Sequence, residues 1–147
     1  MTAKISLDIP NAQSPAPGLI TGGRPAPAHF SEAKRQGVTT VVNLCPPTEA
    51  CAYDEAPLVT GLGLRYVNIP VAGADDLTPD NARRLADALA AAQGGVLVHC
   101  ASGNRVGALF ALKARHVDGK TAEESLEIGR AAGLKAMEPV VRQLLGD

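Results

Sequence analysis

The residues best equipped for chemistry fall in one short stretch, HCASGNR, in which Cys100 and Arg105 bracket a glycine-containing loop. Before it, Val96-Leu97-Val98 is the continuous apolar run of a strand buried on both faces of a mainly parallel sheet. After it, RVGALFALKARHV is apolar almost all round, as a buried helix would be. A loop between a strand end and a helix N-terminus turns main-chain N–H groups, here those of Ala101, Ser102, Gly103, Asn104 and Arg105, toward one centre. The unpaired donors of the helix add partial positive charge there. Gly103 permits the tight curl, and the Arg105 guanidinium can grip two oxygens at once. In such a field a thiol falls from about 8.5 toward roughly 3.5–7.5, so Cys100 is expected to be a thiolate near neutral pH. A thiolate facing a trap for a tetrahedral oxyanion is a nucleophile, with a phosphate monoester as the best-fitting target and a phosphate or sulfate ion as an expected occupant. His99, directly before it, is expected to brace the cysteine backbone through a ring hydrogen bond. The competing reading of Cys100, a small buried hydrophobe, leaves the neighbouring His, Gly and Arg to coincidence.

The elements that must present this loop are visible upstream. After a Pro- and Ala-rich lead-in, a short edge strand is expected at 19–21, ended by Gly22-Gly23, with Pro25 and Pro27 leading into a helix that Gly37 closes. The β-branched run TTVVNL at 39–44 is a strand stopped by Cys45-Pro46-Pro47, a helix is expected over 53–61, and a second strand over 64–69 ends at Pro70. Thr78 caps a helix with Pro79 in its first turn, Ala82, Leu85, Ala86 and Leu89 recurring at helical spacing until Gly94-Gly95. Thr121-Ala122-Glu123-Glu124 fits a capping box, and a last helix is expected over 136–145. Strands alternate with helices and then helices dominate, which predicts an α/β fold with a central, mostly parallel sheet flanked by helices, one domain spanning 1–147.

Ester cleavage requires a proton for the departing oxygen, and Asp75 and Asp76 in VAGADDLTP are the candidate acids. They sit on a loop at 71–77 that Gly73 can make mobile; solvated turn residues before a helix N-terminus are the alternative. Cys45 ends a strand, and parallel strands deliver their C-terminal ends to one rim, so it is a candidate redox partner of Cys100; a packed thiol without that role is the other reading. Asn43 and Arg24 either prop the same rim or meet substrate, or else serve as ordinary turn or strand-end residues, and His29 and His116 read as surface positions.

Composition narrows the function classes. A formal net charge of −1 offers no electrostatic footprint for nucleic acid or an anionic membrane, so neither is an expected partner. No apolar run approaches the ~20 residues of a membrane span, and the first ten residues lack the pattern of a secretory signal, which predicts a cytoplasmic protein. Three cysteines, Cys45, Cys51 and Cys100, have no zinc-type spacing, and no paired histidines stand near carboxylates at ligand spacing; no metal or cofactor is expected.

From Gly18 to about Leu112 the chain resembles the cysteine-dependent phosphatase superfamily, close to dual-specificity phosphatases. It is most similar to the small bacterial branch called beta-lactamase hydrolase-like or DUF442 proteins. GLITGGRPAP resembles that branch's opening, TVVNLCP and LRYVNIPV its strands, and HCASGNRVGA its phosphate loop. The resemblance implies a dual-specificity-type fold, attack by Cys100 on phosphorus of a phosphorylated protein or small molecule, a cysteinyl-phosphate intermediate and metal-independent hydrolysis, with an upstream aspartate as acid. Two features depart from it. Most of the superfamily places five residues between cysteine and arginine, whereas four intervene here, a spacing similar to that of rhodanese sulfurtransferases, which carry a persulfide on cysteine. The arginine is usually followed by a Ser or Thr that helps the thiolate leave; this chain has Val106, with Ser102 as a substitute. A sulfurtransferase and a non-catalytic phosphate-binding module are therefore the alternatives to a phosphatase.

Overall fold

The computed structural model describes residues 4–146. Five strands form one sheet in the order β1-β2-β5-β3-β4: β1 (Gln13–Ala16), β2 (Leu19–Gly22), β3 (Val38–Asn43), β4 (Arg65–Asn68) and β5 (Gly95–His99). Only β1 runs antiparallel, against β2; the β2–β5, β5–β3 and β3–β4 pairs are parallel. The helices are α1 (Pro27–Arg35), α2 (Glu55–Gly61), α3 (Pro79–Ala91), α4 (Asn104–His116), α5 (Ala122–Ala131) and α6 (Glu138–Leu145), with a short 3₁₀ turn at Ala74–Asp76.

The period-two geometry of a strand divides the core. Val96 and Val98 of β5 join Val42, Leu85, Leu109 and Val141 on one side of the sheet, whereas Leu97 joins Val41, Phe30 and Val59 on the other. Every residue of β5 is buried, as expected for a central strand covered on both faces. The caps act where expected: the Thr78 hydroxyl accepts from Asn81 N–H, and Thr121 with Glu124 forms a capping box; each is worth about 1 kcal/mol.

Three expectations are corrected. The strand at 19–21 is interior, because residues 13–16 add an antiparallel strand outside it despite Pro15; proline is tolerated there because β1 is the edge. The amino-terminal segment is core rather than lead-in: Ile5, Leu7 and Ile9 are all at most 7% exposed. Helix α2 starts at Glu55, and α6 at Glu138 rather than 136.

Candidate active site

The end of β5 is pinned on both flanks. Cys100 N–H donates to Gly22 O at 3.2 Å, and Leu44 N–H to His99 O at 2.9 Å. Beyond it, Ser102 bridges Gly23, and Arg24 N–H donates to Ala101 O at 3.1 Å. The approach is so close that a side chain on Gly23 would put its Cβ 2.6 Å from Ala101 O. Gly103, at φ +93°, turns the chain into α4. That left-handed conformation is glycine's.

At the floor of this loop the Cys100 sulfur accepts Gly103 N–H at 3.0 Å. Cys100 is fully buried, yet its sulfur is turned to a main-chain donor. Among the described residues, the amides of Ala101, Ser102, Asn104 and Arg105 donate to no other backbone group. The Asn104 side chain points elsewhere: its Oδ1 accepts Lys135 N–H at 2.9 Å and Met137 N–H at 3.3 Å, tying the loop to the α5–α6 link.

His99 is fully buried, its Nδ1 lying 3.3 Å from Cys100 O and its Nε2 2.5 Å from Glu55 Oε2. On the far side of the ring Glu55 is reached across 44 residues.

Arg105 is gripped rather than open. Nη1 donates to Glu49 Oε2 at 3.0 Å and to Val71 O at 2.8 Å; Nη2 donates to Glu49 Oε1 at 2.9 Å and lies 3.9 Å from Cys45 Sγ. A guanidinium only 14% exposed requires a counter-charge, and Glu49 supplies it in a two-pronged pair. The same hydrogen bonds hold Arg105 firmly protonated and lower the Glu49 carboxyl below its ordinary range. A depressed carboxyl stabilises the fold above its unfolded value, and that contribution fades as pH falls through the folded one, so the pair loosens only in acid. Glu49 escaped the sequence reading because nothing in PPTEAC marks it; only the fold brings it to Arg105.

The loop after β4 reaches the same rim. Val71 N–H donates to Leu44 O at 2.8 Å while Val71 O holds Arg105. Asp76 Oδ2 accepts Ala72 N–H at 2.8 Å, closing the turn. Asp75 is exposed, and no hydrogen bond to its carboxylate occurs among the described residues. Asn43 Oδ1 accepts Cys45 N–H and Asn68 Nδ2 donates to both Asn43 O and Cys45 O, so these asparagines prop the rim. Arg24 lies 3.9 Å from Glu49.

Cys45 is buried in the same apolar cluster as Cys100. Burial pushes its thiol up to about 12 despite Arg24 and Arg105 nearby. It is therefore a neutral thiol at neutral pH; Cys51, unlike it, is exposed. With iodoacetate at pH 7.5, Cys51 should be alkylated freely and Cys45 should stay unlabelled until the chain is unfolded. Peptide mapping showing Cys45 labelled as fast as Cys51 would contradict its burial. Among the described residues no group of three or more His, Cys, Asp or Glu side chains is placed to hold a metal ion, and no helix is long and apolar enough to cross a membrane.

A parallel-sheet rim carrying a cysteine, a tight amide loop and an arginine at the head of a central helix defines the phosphatase-like class. The catalytic domain of the S. cerevisiae PP-IP phosphatase SIW14, in complex with citrate, has the same fold (TM-score 0.69, 17% identity, 96% of this chain and 87% of that one). The model of the phosphatase-like domain of beta-lactamase hydrolase-like protein matches residues 16–117, and the chain belongs to that family. A DUF442 protein structure from Shewanella putrefaciens CN-32 covers 94% of this chain and 92% of its own, with a TM-score of 0.67 and 26% identity. The beta-lactamase hydrolase-like protein of Xylella fastidiosa is 32% identical over 120 residues, which are 78% of this chain but 27% of that protein. The chain thus spans about a quarter of the length of the curated relatives it matches.

Proposed function

We propose that this chain is a dual-specificity-type phosphomonoester hydrolase acting through Cys100, as the resemblance of its loop implied. The observation that carries the reading is the Cys100 sulfur seated against Gly103 N–H, beneath amides that no other backbone group among the described residues uses. The Cys100 thiolate attacks phosphorus, and an S–P bond forms as the ester P–O bond breaks. The loop amides of Ala101 to Arg105 and the Arg105 guanidinium hold the equatorial oxygens, whose charge they stabilise without reorganising. Glu49 must share or yield the Arg105 fork as the phosphoryl group enters. Water then attacks the cysteinyl phosphate, the S–P bond breaks, and phosphate leaves.

Asp75 is the general acid in this scheme, because Asp76 spends its carboxylate on closing the turn. Asp75→Asn should lower kcat for an alkyl phosphate by about 10²-fold or more, and for 4-nitrophenyl phosphate only a few-fold, since a good leaving group departs without a proton. Asp76→Asn should slow both substrates alike by loosening the loop. Equal losses from Asp75→Asn on the two esters would remove it from the acid's role.

The four-residue loop and Val106, fully buried and without a hydroxyl, favour a second reading, persulfide transfer. In the phosphatase scheme exposed Ser102 supplies the missing hydroxyl. Rapid quenching after exposure to an aryl phosphate and, separately, to thiosulfate, followed by mass spectrometry of the Cys100 peptide, separates them. A phosphoryl adduct is expected; a single added sulfur with cyanide-dependent turnover would install the transferase, and neither adduct would leave a phosphate-binding module. Peroxide provides the matching test for Cys45: oxidation of Cys100 to the sulfenic acid and condensation with the Cys45 thiol, releasing water, should yield one Cys45–Cys100 disulfide.

A further inference from the structure

Against the cradle lies a cavity of about 340 Å³. Two of its walls are shared with the loop. Glu49 lines it while holding Arg105, and Arg24 lines it while its amide bonds Ala101 O. The space is about tenfold the ~30 Å³ share of one water, and falls within the ordinary range of small-molecule pockets.

Its chemistry is that of an acceptor. Glu49, Asp54 and Glu55 set three carboxylates on the lining against the single guanidinium of Arg24. Glu55 is the informative one. It is only 6% exposed, its Oε2 is spent on His99, and its Oε1 is buried with no hydrogen-bond partner among the described residues. A buried carboxylate oxygen left unpaired is costly, and so calls for a donor. Tyr66, whose hydroxyl oxygen accepts Asn43 Nδ2 at 3.1 Å, keeps its own proton to offer. A second phosphate would meet mostly negative charge here.

We propose that this cavity seats the alcohol half of the substrate, and that the substrate is the monophosphate of a small alcohol carrying further hydrogen-bond donors, hydroxyl or ammonium, and no second phosphate. This rests on the phosphatase reading. The test is calorimetric titration of the Cys100→Ser chain with inorganic phosphate, propyl phosphate, glycerol 1-phosphate, phosphoethanolamine and a hexose bisphosphate. Glycerol 1-phosphate or phosphoethanolamine should bind at least tenfold tighter than propyl phosphate, the tighter of the two identifying hydroxyl or ammonium as the favoured donor. The bisphosphate should bind no tighter than inorganic phosphate. Ala56→Phe, placing a ring on the exposed wall residue Ala56, should erase the difference between donor-bearing and plain esters. Donor-bearing esters no tighter than propyl phosphate, or a bisphosphate tightest of all, would overturn the inference with the phosphatase reading intact. Failure of inorganic phosphate itself to bind would instead strike the phosphatase reading, and this one with it.

Discussion

Cys100→Ser should lower kcat by on the order of 10⁴-fold or more while leaving the affinity for inorganic phosphate within a few-fold. The oxygen of serine can still take the Gly103 N–H that now holds the sulfur, so the loop keeps its shape. A hydroxyl, however, is almost never ionised near neutrality, and among the described residues no side chain makes a hydrogen bond to Cys100 Sγ through which to take its proton. Steady-state rates with an aryl phosphate and a phosphate titration check the two halves of the expectation. Residual turnover within tenfold of the parent chain would point to another nucleophile. Burial disfavours Cys45 for that office.

Gly107→Ala should destabilise the fold by about 3 kcal/mol or more, a fall of roughly 6–12 °C in Tm, which is the upper part of the range for overpacked sites. A Cβ at Gly107 would stand 2.0 Å from Leu134 N, 2.6 Å from Leu134 Cα and 2.7 Å from Gly129 O. All three are backbone atoms and cannot swing aside. The helices α4 and α5 touch along this seam, and the link beyond α5 is the one that Asn104 holds by its Lys135 and Met137 amides. Activity should therefore fall with stability, below the melting transition as well as through it. Gly61→Ala is the contrast: nothing lies within 4 Å of its added Cβ, and its φ is not positive, so its effect should be neutral or slightly stabilising. Thermal melts of the two variants decide whether crowding or glycine content matters.

The sequence was most legible where one residue type does one local thing. Thr78 and Thr121 announced their helices, the VLV run announced a doubly buried strand, and Cys100, Gly103 and Arg105 announced the loop between them. Illegible were contacts that exist only once distant segments meet. The Glu49–Arg105 pair joins positions 56 apart, and Glu55–His99 joins positions 44 apart; neither glutamate differs in its local pattern from a solvated one. Strand β1 was missed for another reason: QSPA contains a proline and no apolar alternation, whereas the ISLDI segment before it, whose period of two was on view, buries Ile5, Leu7 and Ile9 in the core. That alternation was the signal that was passed over.

Locking α4 against the α5–α6 link constrains how the turn between β5 and α4 can evolve. One residue inserted ahead of Arg105 would rotate an unconstrained helix by about 100°. Here the seam at Gly107 forbids that rotation, so any added residue must bulge outward within the turn itself while the arginine keeps its azimuth. A four-residue turn and a five-residue one can then stand on the same helix without its redesign, and the turn's girth becomes a separately adjustable trait.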